Sequence, residues 1–259
     1  QGIATAVGMV MAEVHLAKRF NRPGHTIVDH HTWVIASDGD VMEGVSAEAA
    51  AIAGRLELGK LIVFWDDNDI TIDGRASLSS REDVCARFAA AGWHVERVDD
   101  GNDVDAIVRA SEAAKKDPRP SFVRVKTIIG YPSPGKQDTS DAHGAPLGKD
   151  EITATKKVMG WPDVAFHVPD EVPGIAAKVR ADGAAREASW KTAFAAYEAA
   201  HPELARTLLA AMSGELPTRR SSLAEVMRGL LAGRILPIEE LVPGFPPSLA
   251  KLIARMLQP

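Results

Sequence analysis

Short apolar runs and longer amphipathic stretches alternate along most of this chain. TWVIA (32–36), KLIVFWD (60–66), HVERVD (94–99) and SFVRVKTI (121–128) have the length and composition of strands. Between them, EGVSAEAAAIAGRLELG (43–59), REDVCARFAAAG (81–92) and DVDAIVRASEAAKK (103–116) read as helices, the first two closed by glycine. Such alternation predicts an α/β fold, a parallel sheet with right-handed crossover helices, and places ligands at the carboxyl ends of its strands.

Ahead of the first strand, residues 2–20 form a helix of small residues (Gly2, Ala4, Ala6, Gly8, Ala12) and bulkier apolar ones (Ile3, Val7, Val10, Met11, Val14). It is apolar nearly all round, so it belongs in a core or an interface. Pro23 and Gly24 end it. Past residue 173 the pattern turns wholly helical. Residues 174–200 make a long Ala-rich helix with Trp190, Phe194 and Tyr197 on one side, and 202–214 a shorter one. Beyond Pro217, Ser222 and Glu225 make a capping box, followed by the stripe Leu223, Val226, Met227, Leu230 and Leu231. Three regions are expected: an α/β domain over 1–165, a helical arm over 166–217, and a helical tail of unknown origin over 218–259.

Composition narrows the function classes. With 46% hydrophobic and 25% charged residues in 259, this is an ordinary globular chain. A net charge of -5 gives no drive toward nucleic acid or an anionic membrane, and no apolar run reaches the ~18 residues of a membrane span. Cys85 is the only cysteine, which rules out an internal disulfide and points to a reducing, cytoplasmic setting. The chain opens directly on QGIATAVGMV, without methionine or signal peptide, and reads as the remainder of something longer.

The chemistry gathers at two strand ends. VIASDGD climbs through apolar residues and turns on Asp38 and Gly39; FWDDNDITIDG carries Asn68 past the next strand. The 28 residues between Gly39 and Asn68 hold one helix and one strand, so the two polar groups sit at neighbouring strand tips. Their hard oxygens suit Mg²⁺ or Ca²⁺, and Mg²⁺ commonly leaves coordination positions to water and substrate phosphates. A helix starting near Glu43 adds free N–H groups and a positive dipole end. Asp38 is thus read as the anchor of a metal carrying a diphosphate, against the plainer reading of Asp-Gly as a turn. Other chemistries lack their motifs: there is no G-x-G-x-x-G, no phosphate-binding G-x-x-x-x-G-K-[ST], no H-E-x-x-H and no G-x-S-x-G. His30 and His31 fall on opposite faces of a strand, and Cys85 lies among apolar helix residues as a packing group.

SDGDVMEGVSAEAAAIAGRLELGKLIVFWDDNDITIDG resembles the thiamin-diphosphate signature, Gly-Asp-Gly followed about thirty residues later by Asn. QGIATAVGMVMAE, RFNRPGHTIVDHHTWV, KTIIGYPSPGKQ and DAHGAPLG, in that order, resemble segments of the transketolase family, and the similarity runs to about Pro217. It implies thiamin diphosphate with Mg²⁺ (or Ca²⁺) as cofactors and transfer of a two-carbon ketol unit between sugar phosphates. It implies Asp38, Asn68 and the Ile70 carbonyl as metal ligands, and Gly39 at the diphosphate. Glu43 falls at the subunit interface joining two cofactor sites, and His143 at cofactor and substrate. Partners follow: a second copy, or a separate chain carrying the pyrimidine-binding domain. The alternatives are another thiamin-diphosphate enzyme, such as a deoxyxylulose-phosphate synthase or 2-oxo-acid dehydrogenase subunit, and a non-catalytic binding or assembly fragment. The sequence departs from the family at Ser37 (Gly), Asp69 (Gly), Ser140 (His) and Asn102 (His), and TIDGRASLSS lacks the usual aromatic and acidic residues.

Overall fold

A computed structural model describes residues 1–214. The capping box at Ser222 and the apolar stripe after it lie outside the described residues. The chain divides into two units, residues 1–201 and the segment from Pro202 onward.

In the first unit, helix α1 (Gly2–Phe20) precedes β1 (Thr32–Ser37), α2 (Asp38–Met42), α3 (Gly44–Arg55) and β2 (Leu61–Asp67). A hairpin of β3 (Ile70–Thr71) and β4 (Gly74–Arg75) follows, then α4 (Val84–Ala90), β5 (His94–Val98), α5 (Val104–Ala114) and β6 (Ser121–Lys126). Helices α6 (Lys149–Val158) and α7 (Val172–Ala200) complete the unit, and α8 (Pro202–Met212) opens the second. The four long strands form one parallel sheet in the order β1-β2-β6-β5, as the alternation predicts.

Strand periodicity divides the core between the two faces of the sheet. Leu61, Val63, Trp65 and Phe122 point to one face, where Ile3, Val7 and Val10 of α1, Ala49, Ala50 and Ala53 of α3, and Phe88 of α4 cover them. Phe88 and Phe122 stack with ring centroids 3.8 Å apart. Ile62, Val98, Val123 and Val125 point to the other, covered by Ala110 and Ala114 of α5. That second cover stops short of the β1 edge, where Ile35 remains 83% exposed. Glycine is required where α3 meets the end of α4: a Cβ on Gly54 would lie 1.7 Å from the Ala91 carbonyl oxygen.

Helix α1 is not as uniformly apolar as its composition suggests. Glu13 is fully buried, and Lys60, at the foot of β2, donates to it at 2.6 Å while also pairing with Asp29. An unpaired buried carboxylate would be costly, so this lysine fixes how α1 lies on the sheet. Meanwhile Met9, Met11 and Val14 stay exposed on the same helix, and so do Val45 and Ile52 on α3 beside it and Leu56 just past its end.

Two corrections concern boundaries. The helix expected over 43–59 is α3 and ends earlier, at Arg55; the short helix α2 ahead of it was not expected, and the extended backbone at Glu43 (φ -65, ψ 133) separates the two. His30 and His31 precede β1 and are not part of any strand, so strand alternation does not set their orientation. The α6 helix and the β3–β4 hairpin were not foreseen; two-residue strands leave too little periodicity to detect.

The long arm packs back on the first helix. Trp190, Phe194 and Tyr197 do share one side of α7; Trp190 and Phe194 stack at 5.1 Å, and both Phe194 and Tyr197 are buried. Tyr197 Oη donates to the Phe20 carbonyl at 2.7 Å, and Trp190 Nε1 to that of Ile27 at 3.1 Å. Both bonds satisfy carbonyls at and beyond the end of α1. Tyr197→Phe should therefore cost about 1 kcal/mol of stability, read as a lower urea midpoint with an unchanged m-value. An unchanged midpoint would mean that the arm contributes nothing through this bond.

Candidate functional site

Strands β1 and β2 run side by side in parallel, with Ser37 opposite Asp66, so their carboxyl ends bring Asp38 and Asn68 together. The link between them is direct. Asp38 Oδ2 accepts the backbone N–H of Asp69 at 3.0 Å and that of Asn68 at 3.3 Å. Both donors fall on one oxygen, which leaves Oδ1 without a backbone partner. Asn68 Oδ1 in turn accepts from the Ile70 N–H at 3.0 Å, and its Nδ2 donates to Asp66 at 3.3 Å, fixing which end of the amide faces where. Asp38, Asn68 and Ile70 are all buried.

Short helix α2 is pinned at both ends. Ser37, in ordinary extended conformation (φ -102), caps it, with its N–H and hydroxyl both donating to Asp40 at 2.8 Å. At the far end, Arg87 of α4 donates to the Val41 carbonyl at 2.6 Å. A serine therefore serves where the family has glycine, because the local φ is one any residue adopts. Asp38 is itself the first residue of α2, and the helix expected near Glu43 is α3, which starts at Gly44. Gly39 lies on α2 with open space before it: a Cβ there would meet nothing nearer than Ser37 Oγ at 4.0 Å.

Asp69 sits at φ +60, the left-handed region that explains a family glycine there, and aspartate is among the side chains that tolerate it. Its charge is drawn outward to Arg75, 3.4 Å away. Behind it Asp67 is neutralised by Arg124 at 2.5 Å and Lys126 at 3.3 Å.

Electrostatically the centre is short of positive charge at one place. Burial, and then the neighbouring Asp67, push the Asp38 carboxyl above its ordinary range, against the pull of the Asn68 and Asp69 amides. A hard cation beside Asp38 would reverse that imbalance. Among the described residues no three His, Cys, Asp or Glu side chains converge on a metal position. A cation here would rest on one carboxylate, one amide oxygen and one backbone carbonyl, with the remaining oxygens supplied from outside the chain. The residues fit a cation that arrives with an anionic ligand.

The other expected residues stand apart. Glu43 is exposed at the break between α2 and α3, flanked by the exposed apolar side chains of Met42 and Val45. His143 is exposed too, closing the 3₁₀ turn Ser140–Ala142 with its N–H donating to the Ser140 carbonyl at 3.0 Å. No hydrogen bond joins either to Asp38 or Asn68 among the described residues. Asn102 bonds only within its own turn, to Asp100. Cys85 is buried in the core, its thiol pushed up first by burial.

The family model for the thiamine diphosphate binding domain of transketolase matches residues 1–217. The chain belongs to the transketolase family. A transketolase of Halalkalibacterium halodurans is 52% identical over 84% of this chain, and transketolase 2 of Aliivibrio fischeri 55% identical over 84%. The chain spans 33% of the length of each. Among solved structures, transketolase from Leishmania mexicana superposes with a TM-score of 0.81 at 42% identity, covering 84% of this chain and 33% of that one. Transketolase from Campylobacter jejuni matches with a TM-score of 0.67 at 35% identity over 74% of this chain. Transketolase membership thus agrees with the α/β fold, and no described helix is long and apolar enough to cross a membrane.

A buried acid held above its ordinary range is kept at a cost to stability. Asp38→Asn preserves an acceptor for the two amides while removing the charge that burial and Asp67 oppose. The ligand-free variant should melt at the same or a higher temperature than wild type, yet bind thiamin diphosphate with Mg²⁺ at least about 10-fold more weakly, the loss seen even for groups outside the metal's first ligands. Paired scanning calorimetry and titration calorimetry would check both halves; a lower melting temperature with intact affinity would contradict them.

Proposed function

We propose that this chain supplies the diphosphate-and-metal half of a transketolase cofactor site. The observation that supports this most directly is the buried Asp38 carboxylate, tied by two amides to the Asn68 turn and lacking a compensating cation. In this reading Asp38, the Asn68 side-chain oxygen and the Ile70 carbonyl hold Mg²⁺, with Ca²⁺ as a substitute, and Gly39 leaves room for the diphosphate. Thiamin diphosphate, when bound, supplies the carbanion chemistry for moving a two-carbon ketol unit from a ketose phosphate to an aldose phosphate. The residues of this chain bind and orient it: the α2 cap fixes Asp38, and the Asp38–Asn68 link fixes the distance between the two strand tips. His143 is assigned to contact with cofactor and substrate. The setting is taken to be cytoplasmic, in keeping with a single buried thiol.

Assembly follows from the same reading. The exposed apolar side chains of α1 and α3, with Glu43 beside them, form the face assigned to a second copy or to a chain bearing the pyrimidine-binding domain. Obligate interfaces are large and apolar, and a face of this kind left bare promotes association.

Two measurements test the function. In titration calorimetry, Mg²⁺ alone should bind weakly, because the protein offers one carboxylate, and Mg²⁺ with thiamin diphosphate should bind well; Asp38→Ala should abolish the joint uptake and Asn68→Ala weaken it. Equal affinity in wild type and Asp38→Ala would sink the assignment. In a coupled ketol-transfer assay the chain alone should give no turnover, and adding a separately expressed pyrimidine-binding domain should restore it. Absent proton transfer alone accounts for roughly 10²–10⁴-fold. Light scattering should report a dimer or larger species; a monomer with full cofactor affinity at high concentration would remove the interface.

A further inference from the structure

Arg75 belongs to no motif in the sequence, yet it joins the two loops that carry the expected site residues. It lies on β4, directly across from Ile70 on β3, and the Ala76 N–H next to it donates to the Asp69 carbonyl at 2.9 Å. Its backbone is therefore fixed to the metal-binding turn. Its guanidinium reaches across to the loop between β6 and α6 and takes Asp138 in a two-pronged pair, Nη1 to Oδ1 at 2.8 Å and Nη2 to Oδ2 at 2.6 Å. The same Nη1 also faces Asp69 at 3.4 Å.

Asp138 stands at φ +59 and Asp69 at φ +60, so one arginine holds two aspartates that both occupy the left-handed region. Side chains seldom occupy that region, and such positions persist when their surroundings impose them. Single exposed ion pairs contribute little, but forked arginine–carboxylate geometry within a network of charges is the exception. The loop is also tied at its start, where Thr127 bonds to Asp66 and to the Asp67 carbonyl, and further along, where Glu151 of α6 accepts from the Gly135 N–H at 2.7 Å and from the Ser133 hydroxyl. Asp138 lies beyond these ties and just ahead of the 3₁₀ turn leading to His143.

We propose that Arg75 and Asp138 are positioning residues, a charge clamp that holds the His143 loop against the turn bearing Asn68 and Ile70 and so keeps the cofactor site in its binding form. The role rests on the function proposed above. Opening the clamp lowers the fraction of molecules in that form, and the apparent affinity for cofactor falls in proportion. Arginine is needed for the two-pronged contact, and lysine supplies only the charge.

The test uses the full 259-residue chain. In Arg75→Gln and in Asp138→Asn, which keeps a side chain suited to the left-handed region, amide hydrogen exchange over 129–143 should quicken while β1 and β2 stay protected. Affinity for thiamin diphosphate with Mg²⁺ should fall about 3- to 10-fold with an unchanged melting temperature. The double variant should be no weaker than either single, and Arg75→Lys should recover part of the loss. Exchange unchanged in both single variants would overturn the clamp. Faster exchange with wild-type affinity, or a fall in affinity matched by a fall in melting temperature that Arg75→Lys does not relieve, would overturn the positioning role. No uptake by the wild-type chain would overturn the functional reading and the role with it. That result differs from failure of the clamp alone, in which wild type and variants bind alike.

Discussion

At the carboxyl end of β1, a carboxylate with 3% exposure takes two amide hydrogens from the turn that follows β2. So deeply buried a carboxylate needs hydrogen bonds from the chain, and the turn supplies them. This single constraint sets the spacing of the two strand tips and the left-handed twist of Asp69. It also sets the start of the β3–β4 hairpin, which places Arg75. The parallel register of β1 and β2 brings the tips near each other; the carboxylate decides how near.

The neighbouring acids show why the arrangement holds. Asp66, Asp67 and Asp69 crowd the same turn, and each has a partner that draws it away from Asp38: the Thr127 hydroxyl and Asn68 amide, Arg124 with Lys126, and Arg75. Asp38, the most deeply buried of the four, has two backbone amides and, among the described residues, no cation in ion-pair contact. A local deficit of positive charge at the end of a parallel sheet is a physical preference for a metal. It is maintained by pairing every other acid with something else. The stability lost at Asp38 is offset by the packed core beneath it, where Phe88, Trp93 and Phe122 are fully buried.

The apolar surface is distributed unevenly for the same reason that the sheet is lopsided. One face of the sheet is covered by α1, α3 and α4, whereas the other has α5 alone among the described residues, leaving Trp33 and Ile35 exposed near the β1 edge. Helix α1 buries Ile3, Val7 and Val10 inward while Met9 and Val14 face out. A helix apolar on both sides has more to bury than this unit offers it.

By itself the sequence determined the alternating strands and helices, the parallel sheet they imply, and the pairing of Asp38 with Asn68 one helix-strand unit apart. These are readable because strand and helix periodicities are local, and because a parallel sheet puts every strand's carboxyl end on one edge. The aromatic side of α7 was readable by the same periodicity, but not that Tyr197 would meet Phe20, 177 residues away. Tertiary structure alone decided the short helix α2 ahead of Glu43, the outward setting of Glu43 and His143, and the burial of Glu13 under Lys60. It alone showed Arg75 between Asp69 and Asp138. Each of these depends on which charges face one another across long stretches of chain, and a charge carries no periodicity that would announce its partner.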